Sequence, residues 1–366
     1  MRRLILVNTL YQMIVAIQLN NTVFTRDSVS LLISDHVRDA EKISQKVRGL
    51  NIFETVGFIE TKGIIENRNA LDKLKDFFDF SFKSNNRYSY YLKSFDNLFF
   101  DEFLCYNFWT DSYGLYSILY KHNSNITFSF FEEGILSYHF SPMDTGRRKL
   151  IRVIRKLLGK KSVTDAFGGF YCFYPELYHG DLKPIKIASI SSNDPTASQI
   201  RKVFDIENNV EYSEKYIFFS SVYDFDGETP IGEFDLLLKI SESVGRDNLI
   251  VKVHPRDTRS IYKENGIKVD SYSGAPWEAI LLSGDFRKNV FLTTTSSSVL
   301  AGALMLPYPS ETIFLYKLCD YERNGIAVKA VHEIEQTLDN QKVKNLFARI
   351  SIAESLEDLL ISKTRG

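Results

Sequence analysis

The stretch LIVKVHPRD, Leu249–Asp257, drives an apolar, β-rich run straight into a histidine, a proline and an arginine. Pro255 disfavours helical geometry at His254, so the strand that begins at Leu249 has to stop there. Parallel α/β domains hold their ligands where strands deliver polar side chains at their C-terminal ends. Two readings are open for His254: punctuation at a strand end, or a phosphate contact with Arg256 and Lys252 close by in sequence. The rest of the chain has to decide.

Similar runs recur along the chain with helical stretches between them, the pattern of βα units and parallel sheets. The first half contains RLILVN, SVSLLIS, NIFETVGFI, NLFFDEFLCYN and ITFSFFEEG. KYIFFSS, NLIVKVHP, GIKVD, VFLTTTSSS and ETIFLYK follow in the second. Between the two sets lies HGDLKPIKIASISSNDPTASQ, weakly periodic and containing Pro and Ser, which puts a boundary near residues 185–212. The expectation is two doubly wound domains, 1–200 and 201–366, with ligands held at the strand C-termini.

A chain of 366 residues has room for two such domains. Its 45 basic and 46 acidic side chains give a net charge of -1, so bulk charge does not mark a nucleic-acid binder, and any anion site must be local. Cys105, Cys172 and Cys319 lie far apart without metal-ligand or redox spacing, which fits core thiols in a reducing compartment. The opening MRRLILVNTLYQMIVAIQLNN is interrupted by Asn8, Gln12 and Gln18, and reads as strand, loop and helix in preference to an export signal. No run reaches the roughly 20 apolar residues that span a membrane. A cytoplasmic location is expected. The segment GRRKLIRVIRKLLGKK, residues 146–161, sets apolar residues at helical spacing among Arg and Lys. It reads either as a solvated helix docked on its own domain or, over 147–161, as a loose contact with anionic lipid on the inner face of the cell membrane.

Five further features carry polar groups at strand ends or helix starts. In TFSFFEEGILSY a strand runs into Glu132 and Glu133, and Gly134 permits a turn. Side chains alternate along a strand, so the two carboxylates cannot both point the same way: one can act as a base while the other bonds the loop or meets water. VFLTTTSSSVLAGALML enters six consecutive hydroxyl residues, Thr293 to Ser298, before a helix, an arrangement that can hold an anion or simply cap the helix. In SYSGAPWEAILLSG, Pro276 and Glu278 open a helix, where the carboxylate can accept from a ribose or complement the helix dipole. Ser220 and Ser221 end the first strand of the second half. Asn8 and Gln12, flanking the TLYQ loop, can touch sugar hydroxyls or the loop backbone.

The order of these features, an acidic pair with Gly, then His-Pro, then Pro-x-Glu, then a Ser-rich turn, resembles the bacterial sialyltransferases. Within them the chain looks most like glycosyltransferase family 52, which modifies lipooligosaccharide and capsule, with the polysialyltransferases close behind. The resemblance implies a GT-B architecture of two Rossmann-like domains facing a central cleft. It implies transfer of sialic acid from CMP-sialic acid to a galactose-type hydroxyl of a surface glycan. By analogy Glu132 or Glu133 is the general base, and His254 contacts the donor phosphate as acid or electrostatic stabiliser. Glu278 matches the ribose carboxylate, and Ser297 and Ser298 match the phosphate-binding serines, with Ser296 open as a shifted register. Pro255, Arg256 and Ser221 complete the expected donor site. A CMP-sugar carries one phosphate, which an imidazole and hydroxyls can match, so no metal and no cofactor are expected, and one base candidate per face points to inversion. Alternatives are a polysialyltransferase, a transferase of another CMP-activated acid sugar, and a UDP-sugar epimerase of the same architecture. A homodimer is a further expectation.

Overall fold

The computed structural model describes residues 1–37, 39–61, 92–107, 110–143, 153, 157, 163–225, 229–272, 274–300, 310–341 and 344–361. The basic segment 147–161 lies outside the described residues except for Val153 and Leu157.

The chain divides into two compact units, 1–188 with 194–204, and 189–193 with 205–361 and the tail to 366. The first is built on a seven-stranded sheet of β1 (Arg2–Val7), β2 (Ser28–Ser34), β3 (Val56–Ile59), β4 (Glu102–Cys105), β5 (Thr127–Phe131), β6 (Phe167–Cys172) and β7 (Lys183–Lys186). Their order across the sheet is β3-β2-β1-β4-β5-β6-β7, and every pairing is parallel. Parallel strands need crossovers that cover both faces, so the inner strands are apolar along their length. The run LILV, buried throughout, and TFSFF, buried from Phe128 onward, fit that demand. Helices α1 (Leu10–Thr22), α2 (Ala40–Gly49) and α3 (Thr110–His122) make three of the connections. At the N-terminal edge of the sheet the Arg3 guanidinium bonds Asp27 at 2.9 Å, pairs with Glu102 and lies 4.1 Å from the centre of the Phe24 ring, joining the starts of β1, β2 and β4.

The stretch expected as a linker holds two elements. KPIK forms the edge strand β7, and PTASQIRKVF forms α4 (Pro195–Phe204). Pro184 is tolerated on β7 because an edge strand has one side without a partner, and Lys183 and Lys186 keep that edge charged. Helix α4 returns to the first unit. Asn21 Nδ2 donates to Thr196 Oγ1 at 2.8 Å and to Gln199 Oε1 at 2.7 Å, and Thr196 donates to Gln18 Oε1 at 2.7 Å.

The second unit repeats the plan with β8 (Tyr216–Phe219), β9 (Leu249–Lys252), β10 (Lys268–Val269), β11 (Val290–Thr293), β12 (Glu311–Phe314) and β13 (Ile350–Ile352). The order is β10-β9-β8-β11-β12-β13, again all parallel. Helices α5 (Glu233–Val244), α6 (Ile261–Glu264), α7 (Trp277–Leu281), α8 (Gly325–Leu338) and α9 (Glu357–Ile361) flank it. Leu236, Leu237, Ile240 and Val244 of α5 pack on Tyr216, Phe218, Val251 and Leu292, so the apolar stripe of that helix faces the sheet. In each sheet the strand order reverses direction once, between β1 and β4 and between β8 and β11. Those reversals are the switch points where doubly wound sheets open a crevice.

None of the three cysteines is in a disulfide; Cys105 and Cys172 are buried and Cys319 is half-buried. Among the described residues no helix is long and apolar enough to cross a membrane.

Candidate active site

In the first unit the acidic pair sits just past β5. The Glu132 N–H still donates to Tyr171 O at 2.9 Å, extending the pairing with β6 by one residue and sending the Glu132 side chain into the protein. Glu132 is wholly buried. Tyr11 Oη donates to its Oε1 at 2.5 Å, while Tyr138 Oη and the Phe173 N–H, the latter at 2.8 Å, donate to Oε2. Glu133 is half-buried and turns the other way. Its carboxylate meets the side chains of Thr9 and Gln12, and its N–H donates to Ser137 Oγ at 3.0 Å. Gly134, at φ 74°, then bends the chain into the turn of Ser137 and Tyr138. Burial pushes both carboxyls up to about 7, against the hydrogen bonds that favour their charged forms.

The TLYQ loop therefore holds both acids. Thr9 caps α1 by accepting the Gln12 N–H at 3.2 Å, and Gln12 Oε1 accepts the Asn8 N–H at 2.7 Å. Gln12 is wholly buried and Asn8 is 7% exposed, so Gln12 serves the loop backbone and Glu133. Tyr11 and Tyr138 carried no signal in the sequence, because a tyrosine near an acid there looks like any core ring.

In the second unit the pairing register aligns Lys252, Phe219 and Thr293 across β9, β8 and β11. His254, Ser221 and Thr295 each lie two residues beyond that line, at the ends of three adjacent strands. His254 is half-buried; its N–H donates to Ser220 Oγ at 2.9 Å, and its Nδ1 accepts the Arg256 N–H at 3.2 Å. With Nδ1 accepting, the neutral ring carries its proton on Nε2. Pro255 and Arg256 are exposed in the turn closed by the Asp257 N–H on His254 O at 2.8 Å. Beyond β11, Thr293 Oγ1 donates to Phe219 O at 3.0 Å and accepts the Ser296 N–H at 2.9 Å. Ser296, Ser297 and Ser298 follow, all half-buried, with Ser298 opening the next helical turn.

Between these loops stands a carboxylate that sequence reasoning did not single out. Glu233, 4% exposed, accepts the Ser221 N–H at 2.6 Å on Oε1 and the Thr294 hydroxyl on Oε2. Burial pushes its carboxyl up to about 7 against those bonds.

Glu278 lies in the first turn of α7, buried, its carboxyl pushed up to about 7 by burial and held down by its own backbone N–H and by Lys252. Lys252 lies close to His254 in sequence, yet it serves another cluster. Its Nζ is instead buried and bonds Asp270 Oδ2 at 3.0 Å, Tyr272 O at 2.7 Å and Ala275 O at 3.1 Å, because the side chain of the last β9 residue points beneath the 270–276 loop. Tyr212 Oη closes the cluster on Asp270 Oδ1 at 2.5 Å. Lys252 thus anchors the loop that presents Glu278. Among the described residues no group of three or more His, Cys, Asp or Glu side chains is arranged to hold a metal ion.

A profile of the alpha-2,8-polysialyltransferase family matches residues 3–315, most of the chain and every strand but β13. The chain belongs to the alpha-2,8-polysialyltransferase family. This family member is a glycosyltransferase of the sialyltransferase class, as the motif order suggested, and its family is the one that stood second in that resemblance. None of the curated proteins compared with it matches in sequence. Among solved structures it is similar to the alpha/beta-galactoside alpha-2,3-sialyltransferase of the luminous marine bacterium Photobacterium phosphoreum, at 15% identity over 98% of this chain and 99% of the other, with a TM-score of 0.50. The glycotransferase of kitacinnamycin is similar at 8% identity over 98% and 88%, with a TM-score of 0.51. At such identities the likeness concerns the fold, and it gives the polysialyltransferase relative the expected GT-B class of two Rossmann-like sheets.

Proposed function

We propose that the protein transfers sialic acid from CMP-sialic acid to a glycan hydroxyl by direct displacement with inversion, without metal or cofactor. The observation that carries the reading is the opposite setting of the two adjacent carboxylates. Glu132 is enclosed by three donors and has no access, whereas Glu133 is partly open and raised toward neutrality. A base must reach its proton and have a pKa near the working pH, and Glu133 meets both conditions. It takes the acceptor hydroxyl proton as the oxygen bonds the anomeric carbon and the bond to the CMP phosphate oxygen breaks. His254 directs its Nε2–H at that phosphate oxygen and stabilises the charge that develops there by a hydrogen bond. Ser296, Ser297, Ser298 and the Ser221 loop hold the remaining phosphate oxygens, and Glu278 accepts from the ribose. Arg256, exposed beside His254, adds positive potential. Asn8 and Gln12 position the base.

The acceptor expected from the motif order is a galactose-type hydroxyl of a capsule or lipooligosaccharide glycan. A second reading, growth of a sialic acid chain on itself, is favoured by the family match over residues 3–315. One experiment tests both. The protein is incubated with CMP-sialic acid and a chelator, with lactose and with sialylated lactose as acceptors, and the products are analysed for linkage and anomeric configuration. Turnover with inversion is expected; loss of turnover under chelation, or retained configuration, overturns the mechanism. The acceptor that is used decides between the two readings.

A further inference from the structure

We infer that Glu233 is a positioning residue for the donor phosphate, a buried carboxylate that fastens the two loops of the β8/β11 switch point into one donor-ready shape. The inference rests on the donor reading above and adds to it a residue that touches no substrate.

Glu233 is not needed to cap its own helix. The N-terminus of α5 already has a side-chain acceptor: Asp224 Oδ1 takes the N–H groups of Ile231 at 2.8 Å and Gly232 at 3.2 Å, and Oδ2 takes that of Phe234 at 3.0 Å. The Phe234 N–H is a first-turn donor of the kind that an acid at a helix N-terminus usually satisfies, and the other two fix the chain that leads into the helix. Glu233 is left with both oxygens directed away from its own helix. One holds the Ser221 N–H at 2.6 Å, on the loop after β8, and the other holds the Thr294 hydroxyl, on the loop after β11.

Those two loops flank the reversal in strand order, where the crevice of a doubly wound sheet opens. Each continues into a group assigned to the donor. Ser220, one residue before Ser221, accepts the His254 N–H, and Thr294 precedes the serine run. A single side chain therefore stands behind the imidazole and the hydroxyls together. A displacement of about 1 Å at such groups costs up to about 10²-fold in rate. Gly232, at φ 77°, lets the chain turn so that the next residue enters the helix with its side chain facing the loops.

The test is binding of CMP by calorimetry, with donor and acceptor KM, for the full chain, three single variants and the Glu233→Ala/Thr294→Val double variant. Glu233→Ala is expected to weaken CMP and raise donor KM by about tenfold or more while leaving acceptor KM within about twofold. Glu233→Gln keeps an acceptor for Ser221 and an amide for Thr294, and is expected to stay within about threefold of the wild type. Thr294→Val removes the same bond from the other side without touching the helix; it is expected to weaken CMP and to add little to Glu233→Ala, since both break one fastening. Should Glu233→Ala fail to fold, Thr294→Val carries the test. Unchanged CMP affinity in Thr294→Val, or equal losses for donor and acceptor in Glu233→Ala, overturns the inference. A wild-type chain that binds no CMP overturns the donor reading itself, an outcome seen before any variant is compared.

Discussion

Glu132 and Glu133 are neighbours in sequence and opposites in environment: the first is sealed beneath Tyr11, Tyr138 and the Phe173 N–H, the second opens toward Thr9 and Gln12. The alternation of a strand, extended one residue past β5, produces this division without any further device.

Substitution of each residue in turn separates the two roles. Glu133→Gln is expected to lower kcat by about 10²- to 10⁴-fold with an unchanged unfolding midpoint. Glu132→Ala is expected to unfold more easily, by roughly 2–4 kcal/mol, because three donors lose their acceptor. Steady-state kinetics and urea titration of both variants read the difference; a severe kcat loss in the folded Glu132→Gln variant, with Glu133→Gln active, reverses the assignment.

The pH profile follows from the raised carboxyl. Glu133 must be unprotonated to take a proton, so kcat/KM is expected to climb with pH to about 7 and then level off. An acid limb near 4.5 would remove Glu133 as the base.

Stability has the opposite slope. Glu132 binds its proton more tightly folded, at about 7, than at its ordinary 4.5, so its stabilising share is complete below about 4.5 and lost as pH rises through 7. The gap between wild type and Glu132→Gln in urea is expected to change by up to about 1.4 kcal/mol per pH unit in that window. Parallel curves from pH 5 to pH 8 would count against it.

His254→Ala is expected to cut kcat by about 10²-fold or more with little change in acceptor KM, since the imidazole meets the departing phosphate. Lys252→Met is a contrasting case. It strands Asp270 and is expected to destabilise by roughly 3–5 kcal/mol, with Asp270→Asn recovering part of the loss in the double variant. A Lys252→Met chain of normal stability with weakened phosphate binding would place that lysine in the donor site.

The strands that form the interiors of both sheets were legible because burial on two faces demands an unbroken apolar run, as in RLILV, YIFF and LIVK. Edge strand β7 was not, since KPIK has few apolar side chains to bury and a proline that an interior strand would refuse. The short strand ISI near the C-terminus escaped for want of length. His254, the acidic pair and the serine run announced themselves by standing at strand ends. Glu233 did not, because an acid after glycine at a helix start has an ordinary explanation, and only the atoms reveal that Asp224 already fills it.

Helix α4 carries one more consequence. Residues 189–193 belong with the second sheet, yet the next segment goes back to lie on α1, where Gln18 and Asn21 receive it. A single cut therefore frees the N-terminal half whole only if it falls after Phe204, and it then carries residues 189–193 away from the second unit. A protease cutting at residue 190 would strip a helix from it and leave those amides facing water, so a separately expressed half needs to run through Phe204.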